Sequence, residues 1–494
     1  MRQSRRFKWL PTAVAAVWPA IGMAVEPTGQ NVDGQQETLR QLRQTRGELN
    51  QLRDEVRQLR GEASGNWLNQ QRVEEVKALV QEVLADADTR ASLLEGGTVA
   101  GHNGKSFFLS NDDGSFLLKL AGQIQLRYIG NFRNDDPDTA GAIDEGEGGF
   151  VIRRAKVAFS GHVAEPRLKY AIQLAVDRSD NTAVSDKIVV SYELLDGLTI
   201  WVGEDKAPFL REELTSSKYQ LAVERSYAGE VFTIDKAQGV ALLWEPHEMV
   251  RLHTMLNDGL KSGDAGTSVN PFTQKDDFDA QANDRGTTKD FNDDASDYAV
   301  SSRVDIKLMG DWNQMKDFTS WPDEELAVFL GSAVHYEEGE SGDSFANNNF
   351  VSWTVDGSVE YRGFNFFAAG MGMHTDIDGA AKLLLGAKEY DIYGVVLQGG
   401  YNIPIGATSV EPFARYEHLD FDTAITDTSG AEDEVDLLTF GVNWYLTQHA
   451  AKFTADVVWA LDPLPIKQAG LGLLADDGDE DDQVALRLQF QLLF

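Results

Sequence analysis

The residues best suited to do chemistry in this chain are fixed charges. Phe150-Val151-Ile152-Arg153-Arg154-Ala155-Lys156-Val157 places three cations within four residues. Further on, Asp205-Lys206-Ala207-Pro208-Phe209-Leu210-Arg211-Glu212-Glu213-Leu214-Thr215-Ser216-Ser217-Lys218-Tyr219 mixes both signs with hydroxyls, and Val223-Glu224-Arg225-Ser226 follows. Neither stretch reads as an enzyme. There is no cysteine, the eight histidines are scattered, and no Ser/His/Asp set has a recognisable motif spacing. Fixed cations attract anions and fixed carboxylates attract cations, so the chemistry is selection among ions along a path.

Selection of that kind needs a wall to hold the charges. From Gly101 the hydrophobic period is two. Leu118, Leu120, Ile124, Leu126 and Tyr128 share one face, while Lys119, Gln123, Gln125 and Arg127 share the other. Ala155, Val157, Phe159 and Val163 alternate with Arg154, Lys156, Ser160 and His162; Leu168, Tyr170, Ile172, Leu174 and Val176 alternate with Lys169, Gln173 and Asp177. Later, Phe440, Val442, Trp444 and Leu446 alternate with Thr439 and Asn443, and Phe453, Ala455, Val457 and Trp459 with Lys452, Thr454 and Asp456. The last strand puts Val484, Leu486, Leu488, Phe490, Leu492 and Phe494 on one side, and Ala485, Arg487, Gln489 and Gln491 on the other.

Alternation alone also fits a soluble sandwich. Aromatics at the ends of the apolar faces (Tyr128, Trp444, Trp459, Phe494) and long polar insertions favour a transmembrane β-barrel with lipid outside and water within. Dividing ~390 residues by ~24 per strand and connection gives about sixteen antiparallel strands. By this parity Arg127, Arg154, Lys156 and Lys169 face the lumen as one basic patch. Arg153 points outward unless a bulge re-aims it. Lys206, Arg211, Glu212, Glu213, Ser216, Ser217 and Lys218 lie on a non-alternating segment expected to fold into the lumen, where Glu212, Glu213 and Asp177 would oppose the patch.

The formal net charge of −35 argues against nucleic-acid binding. The insertions Asn134–Asp138, Asp144–Glu147, Asn257–Asp297 and Asp476–Asp482 are acidic but lack the spacing of an EF-hand loop, so no metal and no cofactor is expected. Arg2, Arg5, Arg6 and Lys8 precede a short apolar run to Met23, which reads as a signal peptide over residues 1–24. Residues 25–100 read as a periplasmic helical stalk. Leu42, Leu49 and Val56 are spaced by seven, and Leu52 and Leu59 follow two of them by three residues, as in a short coiled coil. Residues 101–494 form the barrel.

The Phe150–Val157 stretch, the Lys206-Ala207-Pro208-Phe209 turn, Ser216-Ser217-Lys218 and Glu224-Arg225-Ser226 resemble the phosphate-selective porin O/P family in order and spacing, over roughly residues 101–494. The resemblance implies a sixteen-stranded trimeric porin whose third loop enters a route lined by basic residues. Arg153 and Arg154 match the family's paired arginines, and Ser216 and Ser217 its constriction-loop serines. Glu213 stands where the phosphate-specific members carry a lysine, which sets phosphate selectivity against a carboxylate. The expectation is an outer-membrane homotrimer in contact with lipid, passing inorganic ions and small hydrophilic solutes, with phosphate preference as a sharper form. The alternative is a structural barrel that tethers the envelope through cell-wall contact by its stalk.

Overall fold

A computed structural model describes residues 97–494, apart from 104–105, 134–146, 177–182, 260–297, 339–347, 378–387, 424–432, 466–468 and 474–482. The expected signal peptide, almost all of the stalk, Asp177 and nearly all of the acidic insertions lie outside the described residues. Strands begin at Thr98, just before the expected start of the barrel.

The strands are β1 (Thr98–His102), β2 (Phe107–Asn111), β3 (Phe116–Arg133), β4 (Glu147–Val163), β5 (Glu165–Val176), β6 (Ala183–Leu195) and β7 (Leu198–Lys206). After an inward loop come β8 (Lys236–His247), β9 (Val250–Asn257), β10 (Tyr298–Met309), β11 (Ala327–Glu338), β12 (Asn348–Tyr361) and β13 (Phe364–Ile377). The series ends with β14 (Glu389–Tyr401), β15 (Ile403–Ile405), β16 (Thr408–Phe421), β17 (Glu434–Thr447), β18 (Ala451–Ala460) and β19 (Gln483–Leu493). Each of β3–β14 and β16–β19 pairs antiparallel with its neighbour, and β19 returns to β3, which closes a sixteen-stranded barrel. Closure leaves no unpaired edge in the apolar layer, the condition for a sheet to span a bilayer. β1 and β2 form a hairpin on β3 below the point where β19 ends.

The parity of the wall follows the alternation. Gln123, Gln125, Arg127, Arg487, Gln489 and Gln491 are buried inside, and Gln125 donates to Gln491 across the seam at 2.7 Å. Phe132, Phe150, Trp444, Phe453, Trp459 and Phe494 remain exposed on the outer face. Trp459 pairs with Leu438, six residues before Trp444 on the same strand, so the two tryptophans stand ~20 Å apart along it. That spacing matches the two aromatic girdles of a membrane band.

Phe494 completes the seam. Its amide and carbonyl exchange hydrogen bonds with Gly122, and its ring lies where a Cβ on Gly122 would sit. Gly122→Leu is expected to displace that ring and destabilise the closed barrel by about 1–3 kcal/mol. The check is a lower temperature at which the folded, fast-migrating form is lost on semi-native gels.

The interior departs from a wholly hydrated bore. Residues 207–235 fold inward, with α1 (Arg211–Leu214), a 3-10 turn (Ser217–Tyr219) and α2 (Tyr227–Phe232). Ser226 caps α2 by accepting from the Gly229 amide at 2.7 Å. Phe209, Leu210, Leu221, Tyr227, Val231 and Phe232 pack with Phe367, Met371, Ile392, Phe413, Leu419, Val435 and Leu437 in one apolar core. These wall residues face inward and are covered by the loop, so the lumen is packed along this part of the wall. Along β4–β6 the inward Lys156, Gln173, Ser191 and Glu193 keep partial access to solvent, so solvent enters the lumen beside that wall.

Candidate functional site

The site is built where β3 and β4 fall out of register. Gln125 pairs with Arg154 but Leu126 pairs with Ile152, so Arg153 is an extra residue in a β-bulge. A bulge re-aims side chains, and here it turns both arginines of the pair inward. They meet Arg127 of β3 on one carboxylate of the inward loop, Glu224. Arg154 Nη2 lies 2.8 Å from Oε1. Arg153 Nε and Arg127 Nη2 lie 3.0 and 2.9 Å from Oε2. Burial pushes the Glu224 carboxyl up, but Arg154, Arg153 and Arg127 outweigh that and hold it well below the usual carboxylate range. Three guanidinium groups on one carboxylate leave a positive excess in a poorly screened interior. The side chains of Arg127 and Arg154 are 0% and 8% exposed and that of Arg153 is 17%, so Arg153 is the member open to the path.

Arg127 is further fixed by Gln489 Oε1 at 2.8 Å, Val223 O at 3.1 Å and Gly470 O at 2.8 Å. The loop itself is gripped by β16–β18, the strands next along the wall beyond the β19–β3 seam. Asp456 accepts from the Val223 amide at 2.9 Å and is paired with Arg487 at 2.7 Å. Asn443 and Lys452 donate to the carbonyls of Leu221 and Gln220, both at 2.8 Å, and Arg415 to that of Glu224 at 3.1 Å.

A second bulge, between β5 and β6, adds another inward charge. Gln173 pairs with Lys187 and Leu174 with Ser185, leaving Asp186 as the extra residue. Asp186 takes Lys156 at 2.7 Å and also Lys236. Two cations again share one carboxylate.

The expected site residues therefore separate. Arg127, Arg153, Arg154 and Lys156 come together. Lys169 stands lower on the wall, exposed beside Glu193 at 3.4 Å. Ser217 accepts from Gln123 at 3.2 Å, and Ser216, Lys218 and Tyr219 form the half-buried edge of the loop near it. Three residues expected to face the bore are instead buried in loop packing. Arg211 donates to Met315 O at 2.7 Å and lies against the Phe318 and Phe329 rings. Glu212 accepts from the Ser226 amide at 2.7 Å, and burial pushes its carboxyl up. Glu213 binds Arg225 at 2.9 Å and Lys206 at 3.3 Å, so both carboxylates are turned away from the basic patch rather than opposing it. The physical reason is the apolar anchoring of residues 207–234, which carries α1 into the packed core between the loop and the wall. Glu224 was quoted from sequence within a motif but given no role, and Asp186 and Lys236 were not singled out. The signal for Glu224 was the Glu224-Arg225-Ser226 motif.

A closed lipid-facing barrel with a charged inward loop defines a porin-type channel. Residues 126–305 match the family described as phosphate-selective porin O and P, which bears out the resemblance over that stretch. The chain is a bacterial outer-membrane channel. An uncharacterized protein of Aquifex aeolicus (strain VF5) is 22% identical over 363 residues, covering 71% of this chain and 73% of its own. Among solved structures, an anion-selective porin from Comamonas acidovorans is similar at TM-score 0.47 and 11% identity, over 76% of this chain and 99% of that one. The outer membrane channel DcaP of Acinetobacter baumannii gives TM-score 0.47 and 10% identity, over 78% and 99%.

Proposed function

We propose that this channel passes small hydrophilic solutes passively and prefers anions, with oxyanions such as phosphate among them. The observation that carries the reading is the five-to-two ratio of charges at the two bulges. Among the described residues, Arg127, Arg153 and Arg154 pair directly with Glu224, and Lys156 and Lys236 with Asp186. Removing the Glu213 carboxylate from the bore takes away the group that set phosphate at a disadvantage. The working form is a homotrimer whose heptad segment self-associates on the periplasmic side. In planar bilayers with a potassium chloride gradient, the reversal potential is expected to take the sign of chloride, and added phosphate to reduce the chloride current. A reversal potential of potassium sign overturns the anion reading.

The apolar packing of the inward loop against the wall favours a second reading, a tethering barrel with little transport. Folded trimers that conduct nothing would remove the first reading, and envelope detachment on deleting residues 38–94 would support the second.

A further inference from the structure

We propose that Ala469–Leu473 is a second constriction segment, and that Gly470 within it is the positioning residue for Arg153. The proposal rests on the reading of the arginine triad as the charge selector. Three successive carbonyls of this segment are held by inward side chains of the seam strands. Gly470 O accepts from Arg127 at 2.8 Å, Leu471 O from Arg487 at 3.2 Å and Gly472 O from Asn131 at 2.8 Å. Leu471 and Leu473 are buried with Ala485 in the apolar core, which anchors the segment from the other side. Gly472 has φ +82°, and a Cβ there would stand 2.6 Å from Ile129 Cγ2, so the backbone lies directly on the wall.

This segment and the inward loop meet at the triad. The Arg127 guanidinium bridges them, giving Nη1 to Gly470 O and Nη2 to Glu224. Arg153 is tethered less completely. Its Nε donates to Glu224 at 3.0 Å, and among the described residues its Nη atoms have no protein acceptor. What limits them on one side is Gly470, where a Cβ would stand 3.2 Å from Arg153 Nη2. The absence of a side chain at 470 therefore sets how far the guanidinium stays back from the path. A larger residue pushes it off Glu224 and toward the open side, because the wall and the inward loop occupy the rest.

Gly470→Val is expected to lower single-channel conductance and raise chloride-over-potassium permeability, a change on the order of threefold. In an Arg153→Ala background the same substitution is expected to change neither. Gly470→Ala should give a smaller shift of the same sign, and carries the comparison if Gly470→Val does not fold. A Gly470→Val effect that persists without Arg153, or no effect while Arg153→Ala alone lowers chloride preference, overturns the positioning role and leaves the triad reading standing. Arg153→Ala with unchanged permeability overturns the triad reading itself.

Discussion

Glu224→Gln will loosen the inward loop and lower the resistance of the barrel to denaturant. The carboxylate is buried and is the shared partner of Arg127, Arg153 and Arg154. A glutamine of nearly the same shape keeps one acceptor oxygen but leaves three cations facing one another. Removing one partner of a buried charged network costs about 3–5 kcal/mol. The measurement is urea unfolding of the detergent-solubilised protein followed by tryptophan fluorescence. The midpoint should fall, and any folded fraction should show a stronger chloride preference. Acid should reproduce the effect on the native protein. The Glu224 carboxyl is held below its ordinary value of 4.5 in the folded state, so its contribution is complete above that pH. It is lost as pH falls through the lowered folded value. The loop should therefore hold from neutral pH to about 4.5 and loosen only in stronger acid. A Glu224→Gln protein with the native midpoint would mean that the arginines are solvated and that the loop is held by its apolar side chains and its backbone hydrogen bonds to β16–β18.

How much of this site could be read in advance divides along physical lines. Arg127, Arg154 and Lys156 could be aimed correctly because a strand places successive side chains on opposite faces. The same rule put Arg487, Gln489 and Gln491 inside and Phe494 outside. It failed for Arg153, which depends on a bulge, and a bulge is a property of two paired strands rather than of either one. It also passed over Asp186, the residue inserted by the second bulge. The inward loop was recognisable from its break in alternation and its charges. Its placement was not, since that depends on Leu221, Tyr227, Val231 and Phe232 meeting inward apolar residues such as Phe413, Leu419 and Leu437 far along the chain. Those wall residues were assigned no role because a water-filled bore gives them none. Once the loop covers them, an apolar lumen face is the stable arrangement.

Glu213→Lys separates the family resemblance from the geometry. The resemblance places this residue where phosphate-specific members would carry a lysine, and alone implies that Glu213→Lys would strengthen phosphate block. Here position 213 is 5% exposed and lies between two cations, with Arg225 Nε at 2.9 Å and Lys206 Nζ at 3.3 Å. Burial pulls the Arg225 guanidinium down, but Glu213, Glu230 and Glu224 outweigh it and hold its pKa above the ordinary value, so the carboxylates keep that charge fixed in place. A lysine at 213 makes three buried cations with one of their carboxylates gone. The expected result is a loss of about 3–5 kcal/mol of stability and no gain in phosphate block. Pairing it with Lys206→Glu returns one carboxylate between the two remaining cations and should recover part of the unfolding midpoint. A single Glu213→Lys protein that unfolds like the native one and binds phosphate more tightly would mean that α1 turns this side chain to the path, and that the loop is docked differently from the arrangement described.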